Sequence, residues 1–182
     1  MRKFLIAAAA GVAALSMMSV SPVYAASYGE DRSEIEDLMY RYLFAMDWRD
    51  AEAYAGTFTE DGVLDYASGV EKGRPAIAAM INGLKARDAK AKAEDKSGVR
   101  RPTSRHFVTN LVLKINGDTA VGRAYWMSVS NAKDRAAPIV TGYGHYEDTL
   151  AKRNGKWLFT SRKILNEALD RRTAGETNPA WP

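Results

Sequence analysis

Two Asn-Gly pairs, Asn116-Gly117 and Asn154-Gly155, constrain this chain more than any other feature. The first lies between "RHFVTNLVLKI" and "TAVGRAYWMSVS", the second between "IVTGYGHYEDTLAKR" and "WLFTSRKILNEAL". Asn-Gly supplies the positive φ angles of a tight hairpin turn, so the residues beyond Thr103 read as a long antiparallel meander.

The first half of the chain has a different period. Ile35, Leu38, Met39, Tyr42, Leu43 and Met46 recur at helical spacing, which predicts an amphipathic helix over residues 33–47 with Ser33 or Asp31 as its N-cap. A second, short helix is expected over Ala51–Thr57 behind Asp50, then a strand at "GVLDYA". "GRPAIAAMINGLKA" reads as a third helix, opened by Pro75 and turning Ile77, Met80, Ile81 and Leu84 inward. Helices followed by a meander give an α+β domain, with the helices packed on one face of a curved sheet.

The flanking segments are polar or belong to targeting. "MRKFLIAAAAGVAALSMMSVSPVYA" has Arg2 and Lys3 ahead of an apolar run and small residues at Val23 and Ala25, so residues 1–25 read as a cleaved signal peptide and the protein as periplasmic or secreted. The apolar run falls short of a membrane span, which needs about 20 residues. Residues 26–182 then form one domain. Within it, residues 85–102 are almost wholly charged and are expected to be a solvated helix extension and loop, while residues 171–182 form a mobile tail.

Without Arg2 and Lys3 the basic residues fall from 26 to 24 against 22 acidic ones, and the net charge from +4 to +2. That balance, with acidic residues interleaved in the charged run, argues against a nucleic-acid partner. The chain has no cysteine, which excludes disulfides and thiolate chemistry. Its two histidines, with no cluster of supporting ligands, make a poor metal site, so no metal and no cofactor is expected. A phosphate loop and a nucleophile elbow are both missing.

A bent sheet wrapped by helices leaves an apolar pocket with a few polar groups, so the candidates for chemistry are polar residues that break apolar patterns. His106 opens a strand and shares its alternation with Asn110; His145 lies on the strand face of Thr141, Tyr143 and Glu147. Asp47 stands one turn beyond Leu43 at the edge of the apolar stripe, and periodicity alone does not decide between a solvated helix end and a functional carboxylate.

The order and spacing of "MDWRDAEAYAGTFTEDGVLDY", "GRPAI", "SRHFVTNLVLKINGDTAVGRAYW" and "GHYEDTLAKRNGKWLFTSRKI" resemble the SnoaL-like branch of the NTF2-like superfamily, over about Glu34 to Leu165. The resemblance implies an NTF2-like cone: N-terminal helices on a strongly curved, mixed, mostly antiparallel sheet that encloses a pocket. Within that superfamily the chain looks most like scytalone dehydratase and bile-acid dehydratase types, which eliminate water from polycyclic substrates without a cofactor. Their catalytic aspartate falls on Asp47 and their histidine on His106. The resemblance also points to Tyr66, to Tyr42 and to Arg162 as assisting residues, and Met46 stands where the scytalone type has a tyrosine. Asn110, His145, Tyr125 and Met46 complete the substrate-binding candidates.

An aspartate that fixes the histidine tautomer would let the imidazole take a proton α to a carbonyl while tyrosine hydroxyls donate to the developing enolate. The expected function is therefore that of an exported dehydratase or isomerase acting on a hydrophobic cyclic, polyketide- or steroid-like small molecule. The alternative is a binding protein for such a ligand. A homo-oligomer, dimer or trimer, is expected to form through Trp126, Tyr146 and Leu150 on an uncovered sheet face.

Overall fold

Ser27 and Glu30 start the first helix. The Ser27 hydroxyl accepts from the Glu30 N–H (3.3 Å) and the Glu30 carboxylate accepts from the Ser27 N–H (2.7 Å), a reciprocal cap that opens α1 (Tyr28–Trp48). The helix thus begins five residues ahead of the expected start at residue 33. Asp31, read from sequence as a possible cap, lies inside the helix and is buried, accepting from Lys152 Nζ and Trp157 Nε1, both at 2.8 Å.

The computed structural model describes residues 27–97, 103–131, 137–169, 175 and 177–180. The expected signal peptide lies outside them, as does most of the expected tail. After α1 come α2 (Ala51–Gly56), capped by Asp50 through the Ala53 N–H at 3.0 Å, then β1 (Phe58–Tyr66), β2 (Gly69–Lys72) and α3 (Arg74–Glu94). The meander follows as β3 (Ser104–Asn116), β4 (Thr119–Ser130), β5 (Ile139–Arg153) and β6 (Lys156–Asn166). Strand β2 had no counterpart in the sequence reading: its four residues pair back onto β1, Tyr66 against Gly69, through a tight turn. The charged run from residue 85 continues α3 as far as Glu94, and residues 98–102 lie outside the described region.

The six strands form one open sheet in the order β2-β1-β6-β5-β4-β3. Every pairing is antiparallel except β1 with β6. Asn154 and Gly155 take φ of 51° and 75°, as a two-residue hairpin with right-twisted strands requires. Where β5 crosses the end of β6 the strands approach so closely that a Cβ on Gly144 would collide with the Leu165 carbonyl oxygen.

The helices cover one face. Ile35, Leu38, Met39, Tyr42 and Leu43 of α1 and Ile77 and Ile81 of α3 bury against Phe58, Leu64, Leu113, Trp126, Tyr146, Leu150, Trp157 and Phe159. Strand parity corrects the assembly reading. Trp126, Tyr146 and Leu150 point into this core at 7, 3 and 2% exposure, and the uncovered face carries their alternates Phe107, Tyr125, Met127 and Tyr143.

Candidate functional site

The last turn of α1 holds a local conflict. A helix C-terminus carries partial negative charge, yet Asp47 sits there and no basic residue occupies the last turn. Its side chain is only 5% exposed, so solvent does not compensate. Compensation comes from β3, the free edge of the sheet. Asp47 Oδ1 lies 2.6 Å from His106 Nδ1, and Asp47 Oδ2 accepts the His106 backbone N–H at 3.1 Å. One carboxylate thus covers a backbone donor that an edge strand would otherwise leave open and also orients the imidazole of the same residue. An ionised carboxylate can only accept, so the ring proton belongs on Nδ1 and the lone pair on Nε2. Among the described residues Nε2 has no hydrogen-bond partner.

His106 and Asp47 line a groove of about 380 Å³ between the end of α1 and the start of β3. Its other walls are Tyr40, Leu43, Phe44, Trp48, Arg105, Phe107 and Val108. Behind the imidazole, the Trp126 ring lies 6.5 Å away, centre to centre. The sequence reading missed Tyr40, Phe44 and Trp48. The signal was present as aromatic residues at i, i+4 and i+8, a second stripe beside the buried one.

The other expected site residues do not converge on this groove. Tyr42 is fully buried; its hydroxyl accepts from Tyr54 at 2.6 Å, and burial pushes its pKa up against the opposing charge of Arg162. Arg162 is also fully buried, held by Asp148 through Nε (2.8 Å) and Nη2 (2.7 Å) and stacked about 4 Å from the Tyr42, Tyr146 and Phe159 rings. Burial disfavours its charge, but the Asp148 carboxylate more than offsets this and raises its pKa. Both residues belong to the core beneath the site.

Tyr66 and Met46 line a separate cavity of about 630 Å³ with Leu64, Glu71, Leu84 and Arg87. The Tyr66 hydroxyl donates to Glu71 at 3.4 Å, and burial, then that carboxylate, raise its pKa. Asn110 takes φ of 55° at a bulge between Thr109 and Val112, which breaks the alternation that had placed it beside His106 and leaves it exposed. His145 and Tyr125 pair across β4 and β5 on the outer face. Tyr125 is half exposed there; His145 is buried, with Nε2 3.6 Å from a Glu147 carboxylate oxygen.

A SnoaL-like domain matches residues 27–163. Among solved structures, a Mycobacterium tuberculosis protein of unknown function, Rv3472, is 30% identical, with 82% of this chain and 79% of that one covered and a TM-score of 0.61. A protein of Novosphingobium aromaticivorans provisionally named a scytalone dehydratase is 22% identical over 75% of this chain and 83% of its own, TM-score 0.58. A Catenulispora acidiphila protein in complex with S-DNPA is 22% identical over 77% and 96%, TM-score 0.62. The last two likenesses are those of fold. Among curated proteins nothing matches.

Proposed function

The chain belongs to the SnoaL-like family, and on that premise we propose that it is a cofactor-independent dehydratase or isomerase that removes a proton α to a carbonyl of a hydrophobic cyclic small molecule. The two-point clamp of Asp47 on His106 carries this reading, because it leaves a lone pair on Nε2 beside an apolar groove. His106 is the base and Asp47 its positioning residue. As Nε2 takes the α-proton, the C–H electrons move into the carbonyl and form an enolate. In an elimination, the enolate re-forms the carbonyl and expels a β-hydroxyl, which leaves as water with the proton from the imidazolium. In an isomerisation, the same proton returns to another carbon. Tyr40 lines the groove and takes the hydroxyl-donor role expected of Tyr42 or Tyr66.

The same reading has the enzyme exported, on the pattern of residues 1–25, and self-associating through the outer face at Phe107, Tyr125, Met127 and Tyr143. The test is exchange of α-protons for deuterium on a panel of cyclic ketones and β-hydroxyketones, followed by NMR. Wild type should exchange at least one class, and His106→Ala should lose about 10²-fold or more of that rate. Exchange that survives in His106→Ala rejects the base assignment. Tight binding of panel members with no exchange in wild type supports the ligand-binding alternative instead.

A further inference from the structure

Strand β1 leaves its partner for four residues. Phe58 pairs with Phe159 and Val63 with Ser161, so Thr59 to Gly62 stand opposite Thr160 alone. A bulge of that size bends the strand and opens space beside it. The start of α3 closes against the bulge: the Gly73 N–H donates to the Gly62 carbonyl at 2.8 Å, and a Cβ on Gly73 would sit 3.2 Å from the Glu60 carbonyl oxygen. Between the bulge, Arg74 and the β5–β6 hairpin lies a cavity of about 730 Å³. It is at the far end of β5 from the row of His106, Ser128 and Gly142, and so is separate from the dyad groove.

Arg74, Arg153 and Lys156 line this cavity. Arg74 is anchored through Nε on the Phe58 carbonyl at 2.8 Å, and Arg153 donates to the Lys152 carbonyl at 3.3 Å. Among the described residues none of the three pairs with a carboxylate, although Glu60 and Asp61 line the same cavity. The positive end of the 21-residue α3 adds to them, since its N-cap Gly73 offers no side chain and its first turn holds no acidic residue. The wall also carries Thr59, 6% exposed, whose buried hydroxyl has no hydrogen-bond partner among the described residues. A buried hydroxyl left unpaired is costly, and a ligand oxygen would satisfy it. Cations, an uncapped helix start and a hydroxyl are the donors that hold phosphate oxygens. Glu60 and Asp61 would repel a bare dianion but accept from the hydroxyls of a larger ligand. We propose that this cavity binds a sugar or polyol phosphate. Thr59, Arg74 and the first turn of α3 hold the phosphate, Arg153 and Lys156 offset its charge, and Glu60 and Asp61 take the hydroxyls.

The test is an NMR titration of the full chain with glucose 6-phosphate, glucose and inorganic phosphate. Wild type should bind glucose 6-phosphate at least about tenfold more tightly than either of the others, with shifts at the backbone N–H signals of Thr59, Gly62 and Asn154 and none at the His106 ring. Thr59→Val keeps the side chain's shape and removes a hydroxyl that bonds to nothing in the folded protein. It should therefore leave the melting temperature undiminished while weakening glucose 6-phosphate about tenfold. The double variant Arg153→Gln/Lys156→Gln, at two exposed hairpin positions, should weaken it by a similar factor and provides the test if Thr59→Val does not fold. Glucose binding as tightly as its phosphate overturns the proposal, as does inorganic phosphate binding as tightly as the ester. Unchanged affinity in both variants, or shifts confined to His106 and its neighbours, overturns it as well. Ketone exchange at the dyad is unaffected by either result, so this site and the catalytic reading stand or fall separately.

Discussion

Asp47→Asn is the sharpest perturbation of the dyad, because the structure dictates how the amide must turn. Asp47 accepts two hydrogen bonds, from the His106 backbone N–H and from Nδ1, while an asparagine has one acceptor and one donor end. The backbone N–H can only donate, so it claims the amide oxygen and leaves the NH2 facing Nδ1. The ring then becomes an acceptor at Nδ1 and carries its proton on Nε2, the atom that needs the lone pair.

Both hydrogen bonds survive in this arrangement, so the stability change is small. Losing charge assistance costs about 1 kcal/mol, and removing a negative charge from a helix C-terminus returns about 0.3–1 kcal/mol. The melting temperature should move by no more than about 2–4 °C for a domain of this size, whereas turnover should fall about 10⁴-fold, as it does when a base histidine is held in the wrong tautomer. Asp47→Ala would satisfy neither donor and should cost about 2–4 kcal/mol, softened by the 21% exposure of the imidazole side chain. Two-bond ¹⁵N correlations of the His106 ring read the tautomer directly and thermal melts read the stability. A variant that keeps its proton on Nδ1, or that turns over at the wild-type rate, would refute the reasoning.

Three other outcomes follow from the same geometry. Arg162→Met should destabilise by about 3–5 kcal/mol in urea melts, because it strands a buried carboxylate, while the double variant Asp148→Leu/Arg162→Met should recover most of that loss; a single variant costing under about 1 kcal/mol would contradict a buried pair. Burial pushes the Asp31 carboxyl up, but hydrogen bonds from Lys152 and Trp157 and the Lys152 charge hold it below its ordinary value, and Lys152 is raised, first by Asp31. A lowered carboxylate stabilises above its unfolded value and loses that contribution as pH falls through the folded one. The stability gap between wild type and Asp31→Asn should therefore be constant from about pH 5 to 9 and shrink in acid below about pH 4; a gap that persists at pH 2 would show the linkage to be absent. If the chain self-associates through the uncovered face as proposed, wild type should run as an oligomer by light scattering and Tyr125→Glu as a monomer of undiminished melting temperature; a monomeric wild type, or an unchanged mass in the variant, would remove that face as an interface.

Local chemistry alone determined much of this fold. Positive φ at Asn154 and Gly155 is a property of those two residues, and the burial of Ile35, Leu38, Met39, Tyr42 and Leu43 follows from their spacing on one helix. The helical segments and every strand but β2 were therefore legible, and so was the cap at Asp50. The start of α1 was legible in principle, since Ser27 and Glu30 stand at capping-box spacing, but the weaker apolar period ahead of Ile35 concealed it. Resemblance supplied Asp47 and His106 as a pair, although periodicity left Asp47 undecided. Their contact spans 59 positions and exists only because β3 is an edge strand whose free N–H meets the end of α1. Tertiary structure alone decided the rest. Inward parity on β4 and β5 took Trp126 and Tyr146 into the core, the bulge at Asn110 turned its side chain out, and Asp148 made Arg162 tolerable where no solvent reaches it. A side chain's type limits what it can bond, whereas the partner it meets depends on which strands become neighbours and in what register, and those are properties of the whole packed chain.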